Sequence, residues 1–60
     1  MKVREIVRAM KRDGWYLDHQ AGSHRKFRHP TKKNYITVSY PDSHEVSPAK
    51  ARKMLEEAGL

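Results

Sequence analysis

Sixty residues with 13 Lys and Arg against 7 Asp and Glu, a formal charge of +6, describe one small basic domain spanning residues 1–60. A chain this short buries only about 60% of the surface its unfolded form exposes, which excludes a second domain or a deep enclosed pocket. The absence of cysteine excludes disulfides and thiolate zinc sites, and residues 1–5 lack the apolar run of a signal peptide, so a cytoplasmic protein with no membrane segment is expected. The excess positive charge points to a polyanionic partner, because each phosphate neutralised by Lys or Arg releases condensed counterions.

Within residues 2–12, Val3, Ile6, Val7 and Met10 recur at the i, i+3, i+4, i+7 spacing of one helical stripe. Gly14 supplies the stop, since a helix end often needs a left-handed residue. Residues 15–20 alternate as a half-buried strand, with Trp15 and Leu17 on one side and Tyr16, Asp18 and Gln20 on the other. Ala21 and Gly22 turn the chain. Residues 23–29 make a second strand whose only large apolar side chain is Phe27, and Pro30 ends it because proline cannot donate to a sheet ladder. Residues 31–34 are a turn-like connection. Residues 35–40 form the clearest strand, Ile36, Val38 and Tyr40 facing one way and Tyr35, Thr37 and Ser39 the other, until Pro41, Asp42 and Ser43 break it.

The last helix opens on Ser47 as N-cap with Pro48 at its first position, and Val46 and Ala51 are spaced as a hydrophobic staple. Its apolar stripe is Ala51, Met54, Leu55 and Ala58, and Gly59 terminates it. The order predicts an α+β fold, α-β-β-β-α, in which both helices cover one face of a three-stranded antiparallel sheet and leave the other open.

Because Phe27 must face the helices, the two-residue period puts Arg25 and His29 on its side and His24, Lys26 and Arg28 on the solvent side. Neighbouring strands add Tyr16, Gln20, Tyr35, Thr37 and Ser39 to the open surface. That grouping suits cleavage of RNA by its own 2′-hydroxyl: an imidazole can take or give a proton near neutrality, and Lys or Arg can hold the phosphoryl oxygens. No cofactor is required. The 2′-hydroxyl would also make the activity specific for RNA over DNA.

The same strand fits equally a phosphate-contacting face without catalysis, so a non-catalytic module that binds double-stranded RNA by shape and charge stands beside the nuclease. In either case Lys26 and Arg28 are expected to contact RNA, joined by Arg25, Lys32 and Lys33, and Lys50, Arg52 and Lys53 of the last helix extend the basic surface. Trp15 and Phe27 belong to the core, whereas Tyr16 and Tyr35 are placed to stack on unpaired bases. His29, beside a proline and on the apolar side, is expected to be structural. A metal site is not expected, since His24 and His29 point to opposite faces.

Gly14 and Trp15 after the first helix, then Gly22, Ser23 and His24, Phe27 followed by His29 and Pro30, the strand pair Thr37 and Val38, and the ending Leu55, Glu56, Glu57, Ala58, Gly59, Leu60 together carry a resemblance. Over essentially its whole length the chain resembles the HicA family of messenger-RNA interferase toxins. The resemblance implies a double-stranded-RNA-binding-domain-like fold, ribonuclease activity, and neutralisation by a cognate HicB antitoxin. It assigns catalysis to the histidine of the Gly-Ser-His motif, which here is His24. Where the family commonly has Pro-x-His after the third strand this chain reads Ser39, Tyr40, Pro41, so no second family histidine maps to that loop.

Overall fold

The apolar stripe of the first helix and the glycine that follows it set the frame. A computed structural model describes residues 1–60, in the order α1 (Val3–Asp13), β1 (Tyr16–Ala21), β2 (His24–Arg28), β3 (Ile36–Val38) and α2 (Pro48–Glu57). Val3, Ile6, Val7 and Met10 are all buried, as their spacing requires. Gly14, at φ 111°, closes α1 with paired backbone bonds, its own N–H to the Lys11 carbonyl and that of Trp15 to Met10. The opposite end of α1 has no side-chain cap. Instead the N–H groups of Val3 and Arg4 donate to the carbonyls of His44 and Asp42, so the loop before α2 satisfies two of the helix's orphan donors.

Ser47 caps α2 through its hydroxyl, which accepts from the Lys50 N–H, with Pro48 at the start of the helix. Val46 and Ala51 are both buried, consistent with the staple, while Met54 and Leu55 are only partly covered. The core joins the α1 stripe to Trp15, Phe27, Ile36, Val38, Val46, Ala51 and Ala58.

The sheet has the order β1-β2-β3, antiparallel throughout. In register, Phe27 lies opposite Leu17 and Ile36, Arg25 opposite Val38, and Lys26 opposite Thr37. Residues facing each other across a ladder share a face, so Phe27, Ile36 and Val38 look toward the helices and Lys26 and Thr37 look away.

Three expectations change. Trp15 precedes β1 rather than opening it, and its indole donates to the Ala58 carbonyl at 3.1 Å, tying the β1 entry to the end of α2. Leu17 does share the Phe27 face, yet it stays 44% exposed, because β1 is an edge strand that lies beyond the cover of the helices. Gln20 does not reach the open face. Between Leu17 and His19 the register slips by one residue, making Asp18 the extra residue of a β-bulge. Beyond it the alternation is inverted, so His19 faces Lys26 and Gln20 faces Arg25 on the helix side.

β3 is also shorter than the 35–40 run predicts. It pairs on one side only, and after Val38 the Tyr40 carbonyl is taken by the Arg25 guanidinium at 3.0 Å rather than by the ladder.

Candidate nucleic-acid interface

On the uncovered face the three strands set side chains in rows. One row runs His19, Lys26, Thr37, and the next runs Ala21, His24 and then Ser39, whose hydroxyl lies 3.2 Å from His24 Nδ1. A third has Tyr16 opposite Arg28, with the Tyr35 ring beside them. Lys26 therefore sits at the middle of the face. Its ammonium lies 4.3 Å from the Tyr35 ring centroid, and the Arg28 guanidinium lies 5.5 Å from the same ring.

His24 is exposed, and its environment is sparse. Ala21 opposite it is a methyl group, which leaves that flank of the ring open, while Ser39 holds the other flank. With Nδ1 engaged, Nε2 is the ring nitrogen available to a ligand. In the tautomer with the proton on Nδ1 the serine hydroxyl accepts, and a ring protonated on both nitrogens can keep the same contact.

Arg28 contributes less charge than its position implies, because its Nε donates to Asp18 at 3.3 Å. The bulge that reverses the β1 alternation thus also supplies the carboxylate that steadies Arg28. Lys26 has no acidic partner.

The remaining cations expected to touch RNA are not gathered here. Arg25 lies on the helix side, its guanidinium bonded to the Asp42 carboxylate at 2.8 Å and to the Tyr40 carbonyl, with its side chain only 15% exposed. Lys32 donates to the Asp13 carboxylate and, at 2.8 Å, to the Ala58 carbonyl. Both therefore serve as internal ties with their charge already engaged. Lys33 is exposed in the connection before β3.

His29 belongs to the same tie as Lys32. Its Nε2 donates to the Asp13 carbonyl at 2.7 Å, its Nδ1 accepts from the Thr31 N–H at 3.1 Å, and its ring meets the Trp15 indole edge to face. A Cβ on Gly14 would come within 2.9 Å of that Nε2, so the α1 stop must be glycine for space as well as for φ. Lys32 holds the Asp13 carboxyl below the usual carboxylate range, chiefly through their hydrogen bond.

Beyond Ser39 the open face continues into a cleft of about 310 Å³ between β3 and α2. Thr37, Ser39 and Tyr40 form one wall, and Lys50, Lys53, Met54 and Glu57 the other. Lys50 reaches across to the Tyr40 hydroxyl, and Tyr40 stacks on His44 with centroids 4.5 Å apart.

Strict alternation conceals His19, because a run beginning at Trp15 assigns it to the apolar side. The signal that could have exposed it is the misfit itself: an imidazole directly after Asp18, on a face meant for Trp15 and Leu17, argues for an irregular strand. No helix of this fold is long and apolar enough to cross a membrane.

Residues 3–60 match the family described as the HicA toxin of bacterial toxin-antitoxin. No curated protein matches the chain.

Proposed function

The chain belongs to the HicA toxin family, and from that premise we propose that it is the toxin of a toxin-antitoxin pair, acting as a metal-independent RNA endonuclease through His24. The observation that carries this reading is the placing of His24 on the open face, with Nδ1 engaged by Ser39 and Nε2 without a protein partner, two residues from the unpaired cation of Lys26. RNA transesterification asks for a group that moves protons near neutrality and a positive charge at the phosphoryl oxygens, and these residues supply both.

Lys26 and Arg28 hold the scissile phosphate, and the exposed Tyr16 and Tyr35 offer flat rings to bases on either side of it. Lys50 and Lys53 carry the track past Ser39 into the β3–α2 cleft. The substrate is messenger RNA. A HicB-type antitoxin neutralises the protein by covering the open face, where it denies RNA access to His24.

His24→Ala decides between this reading and a module that only binds double-stranded RNA. In the presence of EDTA the wild-type protein is expected to cut RNA and the variant to lose at least about 10²-fold in rate while keeping its salt-sensitive affinity. Wild-type protein that binds RNA but leaves it intact would favour the module.

A further inference from the structure

A lone imidazole must serve both proton transfers of RNA cleavage, yet the bulge in β1 brings a second one to the same face. We propose that His19 is a catalytic residue of this nuclease, donating the proton to the leaving 5′-oxygen while His24 takes the proton from the attacking 2′-hydroxyl. The inference rests on the ribonuclease reading above and goes beyond it by dividing the chemistry between two residues.

The register carries the argument. His19 stands opposite Lys26, and His24 is two residues from Lys26 on the same strand, opposite Ala21. His19 and His24 are therefore diagonal neighbours on one face, about 7–8 Å apart along the sheet, with Lys26 at the corner between them. Both histidines are exposed. Without Asp18 as the extra residue, His19 would lie on the Phe27 side and meet no RNA on the open face. Lys26 stands opposite His19 and Asp18 precedes it, and Asp18 is occupied by Arg28.

Two imidazoles flanking a cation match the geometry of the reaction. The attacking and leaving oxygens stand on opposite sides of the phosphorus, so two groups reach them better than one, while Lys26 at the shared corner, its ammonium resting over the Tyr35 ring, supplies the positive charge for the non-bridging oxygens. His24 suits the base in the tautomer that carries its proton on Nδ1, where the Ser39 hydroxyl accepts and Nε2, which has no protein partner, keeps its lone pair. In the step itself Nε2 of His24 takes the 2′-hydroxyl proton as the 2′-oxygen bonds to phosphorus. The bond from phosphorus to the 5′-oxygen breaks, its electron pair stays on that oxygen, and the His19 imidazolium supplies the proton. The products are a 2′,3′-cyclic phosphate and a 5′-hydroxyl. His24 is left protonated and His19 neutral, and proton exchange with water restores both without oxidation or reduction.

The test compares wild type, His19→Ala, His19→Gln and His24→Ala on an oligonucleotide containing a site that the wild-type protein cuts, and on the same oligonucleotide with sulfur in place of the bridging 5′-oxygen there. A thiolate leaves without help from an acid. On the natural RNA both His19 variants are expected to lose about 10²–10⁴-fold in rate with RNA affinity unchanged, and to lose the alkaline limb of the pH–rate profile. On the sulfur-linked RNA they should return to within about tenfold of wild type, whereas His24→Ala should stay slow. If the His19 variants cut natural RNA at the wild-type rate, or are slowed equally on both substrates, the assignment to His19 is overturned while the ribonuclease reading stands. Wild-type protein that leaves RNA intact, or a fully active His24→Ala, overturns the ribonuclease reading and this inference with it.

Discussion

Ser39 bears on what His24 can do, since a ring free to rotate on an open strand would spend most of its time with Nε2 turned away from a bound phosphate. Their 3.2 Å contact is one neutral hydrogen bond, worth about 1 kcal/mol. Ser39→Ala is accordingly expected to slow RNA cleavage by about five- to tenfold with binding unaltered, and Ser39→Thr, which keeps the hydroxyl, to restore most of the rate. A single-turnover cleavage assay alongside a binding titration separates the two effects. Asp13 illustrates a different kind of residue, one that holds elements together. Lys32 lowers its pKa, so its favourable contribution is fully present above the ordinary carboxylate range and is lost as the pH falls toward and through the depressed value. The acid limb of thermal stability, followed by circular dichroism below about pH 4, is expected to flatten in Asp13→Asn, which cannot titrate.

At the scale of elements, the loop between β3 and α2 links parts that the sheet alone would leave apart. Arg25 reaches from β2 to Tyr40 and Asp42, and the carbonyls of Asp42 and His44 then cap the N–H groups of Arg4 and Val3 at the start of α1. Removing Arg25 should loosen the loop and fray α1 together. Arg25→Ala is expected to cost about 1 kcal/mol in denaturant unfolding, the scale of a lost hydrogen bond, because the Asp42 carboxylate is 57% exposed and water takes the place of the guanidinium, and to leave the salt dependence of RNA binding unchanged. The other end of the domain is bound in a similar way, because the Ala58 carbonyl at the end of α2 accepts from both Trp15 and Lys32. These ties explain how two short helices and three short strands hold together around a core of only 11 buried residues.

At the scale of the whole molecule, the charge of +6 is unevenly available. Arg25 and Lys32 spend theirs inside the fold and Arg28 shares its own with Asp18, whereas Lys26, Lys33 and Lys53 form no ion pair. RNA affinity should fall linearly on a log–log plot against salt concentration, and Lys26→Ala should reduce the magnitude of that slope by about 0.7–0.9, the contribution of one phosphate contact. Lys32→Ala should leave the slope unchanged and lower the melting temperature instead.

Much of this architecture could be read directly from residue order. The stripe of α1, Gly14, the cap and proline of α2, and the alternation through Phe27 and through Ile36 and Val38 are local signals, each written in residues three or four positions apart at most. They were enough to place His24, Lys26 and Arg28 on the uncovered face. What lay outside the sequence depends on partners distant along the chain. The bulge at Asp18 exists only in the pairing of β1 with β2, and it decides that His19 joins the open face and Gln20 leaves it. Likewise a lysine or arginine looks equally available in any basic stretch until Asp13, Ala58, Tyr40 and Asp42 are brought to it by the fold. Periodicity determines which way a side chain points while the strand stays regular, and only tertiary pairing determines where that regularity breaks and which charges remain free.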